Sequence, residues 1–158
     1  MVNKEALKGE TSKETYKMAY LFGLLYYHFA RVLIDEFGKK RGKELIAKAV
    51  KNFATERGEK MREQALRMDM ELTRQNLGKV SDLPAYTFYT DEEGTHCPFA
   101  DAWEEKGSLG QELGLLYCNI NDPYKEKAFN PELRLYRYIK NRNLGDIACG
   151  FGDVKFLK

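Results

Sequence analysis

Three cysteines carry the clearest chemical potential in this chain, and all of them lie in its C-terminal part. Cys97 sits in a His-Cys-Pro-Phe segment, Cys118 in Tyr-Cys-Asn-Ile-Asn-Asp, and Cys149 in Gly-Asp-Ile-Ala-Cys-Gly-Phe. Their odd number and wide spacing match neither a C-x-x-C redox pair nor a zinc ribbon. Three hypotheses remain open: a nucleophilic or acid–base thiol, an irregular metal site, or three inert buried thiols.

Cys97 has local features that favour a reactive thiol. It precedes Pro98 and a helix predicted to begin near Phe99 or Ala100, whose positive end would lower the pKa of the thiol. His96 is adjacent, but on a strand the two side chains point to opposite faces. A direct His96–Cys97 couple would therefore need a bend at Pro98.

Cys118 and Asp122 are four residues apart, so they share one face if a helix continues through both. This places a thiol beside a carboxylate, as a nucleophile–base pair or as metal ligands. The alternative is a core cysteine followed by a helix-capping aspartate. Cys149 opens the last predicted strand, where it either faces a pocket or packs as an inert thiol. With His96 or Asp122, the three cysteines could also form a Cys3His or Cys3Asp zinc site.

Two arginines are candidate binding cations. Arg137 lies on an alternating strand and is the preferred anchor, because its planar fork can bind a carboxylate through two hydrogen bonds. The alternative there is a surface cross-strand ion pair. Arg57 falls on the apolar stripe of the second predicted helix, beside Gly58, a residue that permits close approach of another helix. Its alternative is a packed aliphatic stem with the charged head in solvent or on a carboxylate.

Composition excludes several functional classes. The 158 residues are 43% hydrophobic and 32% charged, with a net charge of +2, so no overall field recruits nucleic acid. The most apolar stretch, residues 19–34, is interrupted by Gly23, His28 and Arg31 and is too short to span a bilayer. The first residues lack the apolar core of a signal peptide, and reduced thiols then predict a cytoplasmic protein.

The elements predicted from periodicity are helices followed by strands. Thr11 to Glu14 forms a capping-box pattern, and Gly38 followed by three cations ends the first helix. The expected fold class is α+β: an N-terminal helical hairpin packed on a small antiparallel sheet, with further short helices. Residues 1–158 are expected to form one domain, with 1–11 a loose segment. The remaining predictions are a second helix from about 43, strands at 85–90, 95–99, 133–139 and 149–156, helices at 100–106 and 111–120, and a helical turn to 129.

Four segments together resemble the L-2-amino-thiazoline-4-carboxylic acid hydrolase family: 97–107, 116–122, 128–133 and 145–151. The resemblance extends weakly through Glu56-Arg57-Gly58, so that it covers about 45–157. It implies hydrolytic opening of a cyclic isothiourea-like ring to a carbamoyl-cysteine product. Arg137 matches a family position.

The chain departs from the family pattern at two positions. Asn119 follows the second cysteine, where the family usually has an acidic residue, and Gly150 follows the third, where it usually has aspartate. These replacements remove up to two negative charges from the expected site. The closing cysteine motif also resembles the end of vinyl reductase-type domains, which bind small molecules without chemistry.

The favoured hypothesis is therefore a hydrolase that opens a small cyclic amidine or thiazoline in a cysteine-lined pocket. The alternative is a non-catalytic small-molecule-binding or sensor module. A small-molecule substrate and possible homo-oligomerisation are expected, without nucleic acid or membrane. No cofactor is predicted, although zinc bound by the three cysteines stays an alternative. The candidate catalytic residues are Cys118, Asp122, Cys97 and Cys149, and the candidate substrate-binding residues are Arg137, Arg57 and His96.

Overall fold

The computed structural model describes residues 10–80, 82–83, 88–92, 94–133 and 136–153. In chain order the elements are α1 (Glu10–Arg67), α2 (Arg74–Leu77), a 3₁₀ turn (Gly78–Val80), β1 (Tyr89–Asp91), β2 (Gly94–His96), α3 (Pro98–Glu104), α4 (Gly107–Phe129), β3 (Tyr136–Lys140), a second 3₁₀ turn (Arg142–Leu144) and β4 (Gly150–Asp153).

Helix α1 is divided into two arms at Gly38. This residue has φ 75° and ψ 160°, a combination that glycine alone adopts readily, so the helix cannot run straight through it. The two arms, 10–37 and 39–67, fold back on each other. This brings the rings of Phe22 and Phe53 together, with centroids 5.9 Å apart. The predicted break at Gly38 and the predicted helical hairpin are both confirmed. None of the described helices combines the length and apolar content required to cross a bilayer.

Trp103 on α3 is the centre of the main core. Its side chain is fully buried, and its indole N–H donates a hydrogen bond to the Gly23 carbonyl at 2.9 Å. This bond ties α3 to the first arm of α1, while the rings of Tyr26 and Tyr117 pack around the indole. The buried members of this cluster are Ala30, Ile46, Val50, Ala102, Trp103, Leu113 and Tyr117. A second cluster lies near the far end of α1 and contains Met61, Ala65, Leu77, Val80 and Phe129.

Helices α1 and α4 lie in close contact at Gly58. A Cβ placed on Gly58 would lie 2.1 Å from the Lys125 carbonyl oxygen and 2.8 Å from the Ala128 Cβ. These distances are far below van der Waals contact, so only glycine fits between the two backbones. The close helix approach expected at Gly58 is present.

The described strands form two separate antiparallel pairs, β1 with β2 and β3 with β4. The protein is therefore mostly helical, and the prediction of a helical hairpin packed on one antiparallel sheet is wrong in its second half. The physical reason is visible at β3, where the Tyr138 amide donates to the Asn119 side-chain oxygen at 2.8 Å. This backbone N–H therefore donates to a side chain of α4 and not to another strand.

Several predicted boundaries also change. Helix α4 runs without interruption to Phe129 and contains Pro123, whereas the sequence predicted an end near Ile120. Strand β4 covers only part of the predicted 149–156 segment, whose last three residues lie outside the described residues. The same holds for 85–87 of the predicted 85–90 strand and for most of the N-terminal 1–11 segment.

We expect Gly58→Ala to destabilise the protein by about 2 kcal/mol or more, because overpacking a close backbone contact costs about 1–3 kcal/mol. At an unconstrained helix position the same change would stabilise by roughly 1 kcal/mol. Urea unfolding followed by circular dichroism measures the difference. Gly78→Ala is the matched control, since a Cβ there meets no atom within 4 Å. A Gly58→Ala protein as stable as the control would contradict the packing described here.

Candidate functional site

The structure contains a cavity of about 670 Å³. Its lining comes from both arms of α1 and from α3, α4, β3 and the second 3₁₀ turn. This lining combines apolar side chains with polar groups and thiols. The apolar side chains include Met18, Ala19, Phe22, Phe53, Leu83, Phe88 and Phe99. The polar side chains and thiols include Arg57, Asp82, Cys97, Tyr117, Cys118, Asn121, Asp122, Lys125, Tyr138, Asn141, Arg142, Asn143 and Cys149.

All three cysteines line this cavity, although they come from different elements. Cys97 immediately precedes α3, Cys118 lies on α4, and Cys149 immediately precedes β4. None of them forms a disulfide, and each is half-buried. The amide of Cys149 donates to the Thr95 hydroxyl at 3.0 Å, which joins the segment before β4 to β2. The structure thus brings together three thiols that are far apart in the sequence.

Cys97 caps the N-terminus of α3, with its sulfur accepting a hydrogen bond from the Ala100 amide at 3.4 Å. Burial nevertheless raises the pKa of the Cys97 thiol to about 12, and the amides of Ala100 and Phe99 only partly offset this effect. The helix end therefore acts in the expected direction, but burial makes the net shift of this pKa upward. Desolvation of the thiolate outweighs a few N–H dipoles.

Cys118 is in a similar state. Burial raises the pKa of its thiol well above the usual range, and the neighbouring Cys97 and Asp122 raise it further. The Asn143 side-chain amide donates weakly to the sulfur at 3.9 Å. Both thiols therefore carry their protons at neutral pH in the unliganded protein.

Asp122 shows the opposite behaviour in the same cavity. Burial acts to raise the pKa of its carboxyl group, but the charge of Lys125 and a hydrogen bond from Tyr138 outweigh burial and hold the pKa below its usual value. Lys125 Nζ and the Asn121 amide both donate to Oδ1 at 3.0 Å, and the Tyr138 hydroxyl donates to Oδ2 at 2.5 Å. The site therefore contains a buried, ionised and precisely oriented carboxylate.

Arg57, on the second arm of α1, extends this hydrogen-bond network. Its Nε and Nη2 donate to the two carboxylate oxygens of Asp82 at 2.5 and 2.7 Å. Its Nη1 donates to the Asn121 side-chain oxygen at 3.0 Å, and Asn121 in turn donates to Asp122. A continuous hydrogen-bonded chain thus connects Asp82, Arg57, Asn121 and Asp122.

Two predicted binding residues lie elsewhere. The Arg137 side chain is exposed and does not line the cavity, whereas its neighbour Tyr138 does. Successive side chains of β3 point to opposite faces, and the face that carries Tyr138 borders the cavity. His96 also stays outside the cavity lining, while Thr95 and Cys97 on either side of it face inward. Of the three predicted binding residues, only Arg57 lines the cavity that contains the cysteines.

Sequence reasoning missed several polar residues of the cavity, among them Tyr117, Tyr138 and Asn143. Tyr117 is adjacent to Cys118, and Tyr138 is adjacent to Arg137. This adjacency is the signal that could have identified the two tyrosines, whereas no local pattern indicated Asn143. Among the described residues, no group of three or more His, Cys, Asp or Glu side chains is arranged to hold a metal ion.

The L-2-amino-thiazoline-4-carboxylic acid hydrolase family matches residues 17–152, which is most of the chain. The protein therefore belongs to this family, whose name describes hydrolases. No curated protein and no solved structure matches the chain.

We expect Cys97 and Cys118 to react with iodoacetamide at pH 7 at least about tenfold more slowly in the native protein than in the unfolded chain, because only the thiolate is nucleophilic. For Cys97 the native rate should still rise above pH 9, since its pKa is about 12. Peptide mass spectrometry after timed quenching gives the rate for each cysteine. A fast Cys97 or Cys118 at pH 7 would show a lowered pKa instead.

Proposed function

We propose that this protein hydrolyses a small cyclic amidine or thiazoline, similar to L-2-amino-thiazoline-4-carboxylate, and releases a carbamoyl-cysteine-type product. Family membership supports a hydrolase in general. The observation that carries the finer proposal is the ionised Asp122 carboxylate, buried in a cavity next to Arg57 and Lys125. This arrangement offers a base for the attacking group and cations for a substrate carboxylate.

The reacting centre of such a substrate is the ring carbon between sulfur and nitrogen. The ring nitrogen is protonated when the substrate binds, so it already carries the hydrogen that it keeps in the product. Water attacks the ring carbon and gives one proton to Asp122 as the new C–O bond forms. The C–S bond then breaks as the new hydroxyl becomes the carbonyl and releases its proton to solvent, while the protonated Asp122 gives its proton to the leaving sulfur. The products are a carbamoyl group and a free thiol, and the Asp122 carboxylate is restored. Tyr138 and Asn121 hold the carboxylate in position during both transfers.

A water molecule is the favoured nucleophile because of the charge states in the cavity. Cys118 is one helical turn before Asp122, but its raised pKa opposes a preformed thiolate. Attack by the Cys118 thiol, with Asp122 as its base, is the competing route. In the favoured route Cys97, Cys118 and Cys149 form the sulfur-rich part of the cavity lining, against which the sulfur of the ring packs.

Arg57, rather than Arg137, is the preferred anchor for the substrate carboxylate in this proposal. It is largely buried, lines the cavity and is held in a fixed plane by Asp82 and Asn121. A guanidinium held in this way is pre-organised to bind a carboxylate, whereas the exposed Arg137 is not.

We expect Asp122→Asn to lower kcat by about 10²–10⁴, the usual contribution of a general base. Cys118→Ser should keep kcat within about tenfold, since a protonated thiol that does not attack can be replaced by a hydroxyl of similar size. Turnover of L-2-amino-thiazoline-4-carboxylate is measured through release of the product thiol. Asp35→Asn is the control, because Asp35 lies in an exposed pair with Arg31.

Loss of turnover in Cys118→Ser, with a stable fold, would show that the thiol is the nucleophile. A wild-type protein that binds the compound but never turns it over would instead support the sensor alternative.

We expect Arg57→Lys to raise KM for the same substrate by about tenfold or more, because an ammonium keeps the charge but loses the planar fork. Arg137→Lys should change KM by less than about twofold, since exposed cations contribute little. Steady-state kinetics on both variants decides between the two arginines. An increase in KM confined to Arg137→Lys would move the anchor back to β3.

A further inference from the structure

The Tyr117 hydroxyl is a buried polar group without a hydrogen-bond partner within the part of the chain that the structure describes. The side chain is only 4% exposed, and it lines the cavity. Burying a hydroxyl without a partner costs free energy, and almost all buried polar groups in proteins are paired. An unpaired hydroxyl in a cavity wall is therefore a group that a ligand can complete.

The ring of Tyr117 has little freedom to move its hydroxyl elsewhere. It packs edge-on against Tyr26 and Phe99, with ring centroids 5.0 and 5.7 Å apart, and it lies 5.4 Å from Trp103. These contacts fix the ring on three sides. The hydroxyl is thus held in place before any ligand arrives, and its binding costs little ordering entropy.

The Arg57 guanidinium lines the same cavity and has N–H donors that its described hydrogen bonds leave unused. A guanidinium carries five N–H groups, and the bonds to Asp82 and Asn121 use three of them. The guanidinium also lies over the Phe53 ring, 5.2 Å from its centroid, which limits its movement. Burial raises the pKa of Tyr117, so the phenol keeps its proton and remains a donor.

We propose that the Tyr117 hydroxyl and the remaining N–H groups of Arg57 together bind the carboxylate of the substrate. This inference rests on the proposed function and adds a binding residue to it. Two fixed donors, one of them cationic, match the two oxygens of a carboxylate. The Tyr117 hydroxyl has no partner among the described residues, and a bound carboxylate supplies one.

The inference has an unusual signature, because stability and binding should respond in opposite directions. Tyr117→Phe removes the unpaired hydroxyl but keeps the packed ring, so it should raise the Tm of the unliganded protein by about 2–4 °C. The same change should weaken binding of the carboxylate by about ten- to a hundredfold, as expected for a lost hydrogen bond to a charged group. A purely structural tyrosine would not show this combination.

The experiment compares wild type, Tyr117→Phe and Tyr26→Phe. The Tyr26 hydroxyl donates to the Leu113 carbonyl at 2.8 Å and does not line this cavity, so Tyr26→Phe should lower the Tm and leave binding unchanged. Differential scanning calorimetry gives the Tm values. Isothermal titration calorimetry measures two probes, L-2-amino-thiazoline-4-carboxylate and 2-aminothiazoline, which lacks the carboxylate. The loss of affinity in Tyr117→Phe should be confined to the carboxylate probe.

The outcomes separate this inference from the proposed function. If wild type hydrolyses the carboxylate probe and Tyr117→Phe binds it equally well, the inference is overturned and the function stands. If wild type binds the probe in a Tyr117-dependent manner but does not hydrolyse it, the function is wrong and the inference stands. An equal loss of affinity for both probes, a Tm lowered by Tyr117→Phe, or no binding of the carboxylate probe to wild type would overturn the inference.

Discussion

The backbone of α4 lies against Gly58 of α1 with no space for a side chain between them. This contact fixes the relative position of the two helices that carry the charged part of the site. Arg57 precedes the contact on one helix, and Asp122 lies one turn before it on the other. Lys125 belongs to both features, because its carbonyl oxygen abuts Gly58 while its ammonium donates to Asp122. Any change that separates the helices must also disturb the charge balance of the cavity.

Burial in this cavity has opposite results for different acids. Asp122 stays ionised, because Lys125, Tyr138 and Arg57 supply charge and hydrogen bonds that outweigh desolvation. Cys97 and Cys118 stay protonated, because no comparable donors reach their sulfur atoms. The cavity therefore places the ionised Asp122 carboxylate close to the neutral thiols of Cys97 and Cys118. Such a division suits a substrate with a polar, cationic amidine and a soft sulfur atom in one small ring.

Features that depend on neighbouring residues were predictable from the sequence, whereas features set by packing were not. Gly38 with the cations after it predicted the break in α1. The alternation around Arg137 predicted a strand with two faces, but the inner face is decided by the position of α4, which no local pattern contains. The spacing before α3 placed Cys97 correctly at a helix start. The pKa of its thiol is nevertheless raised, because burial outweighs the helix end and depth of burial is a property of the whole fold. For the same reason, the alternating pattern of β3 could not show which group would pair with its backbone. The Tyr138 amide donates to Asn119 of α4 and not to a further strand.

Trp103 is the sole tryptophan of the chain, and it sits where the core meets the cavity wall. Its indole N–H is bonded to Gly23, and its ring lies 5.4 Å from that of Tyr117. The fluorescence emission of an indole depends on the polarity and mobility of its surroundings. Trp103 can therefore report on the cavity, because its ring packs against Tyr117, which lines it. A ligand that engages Tyr117 changes the environment of this fluorophore without any label. Intrinsic fluorescence can therefore be used to screen compounds directly for occupancy of the cavity.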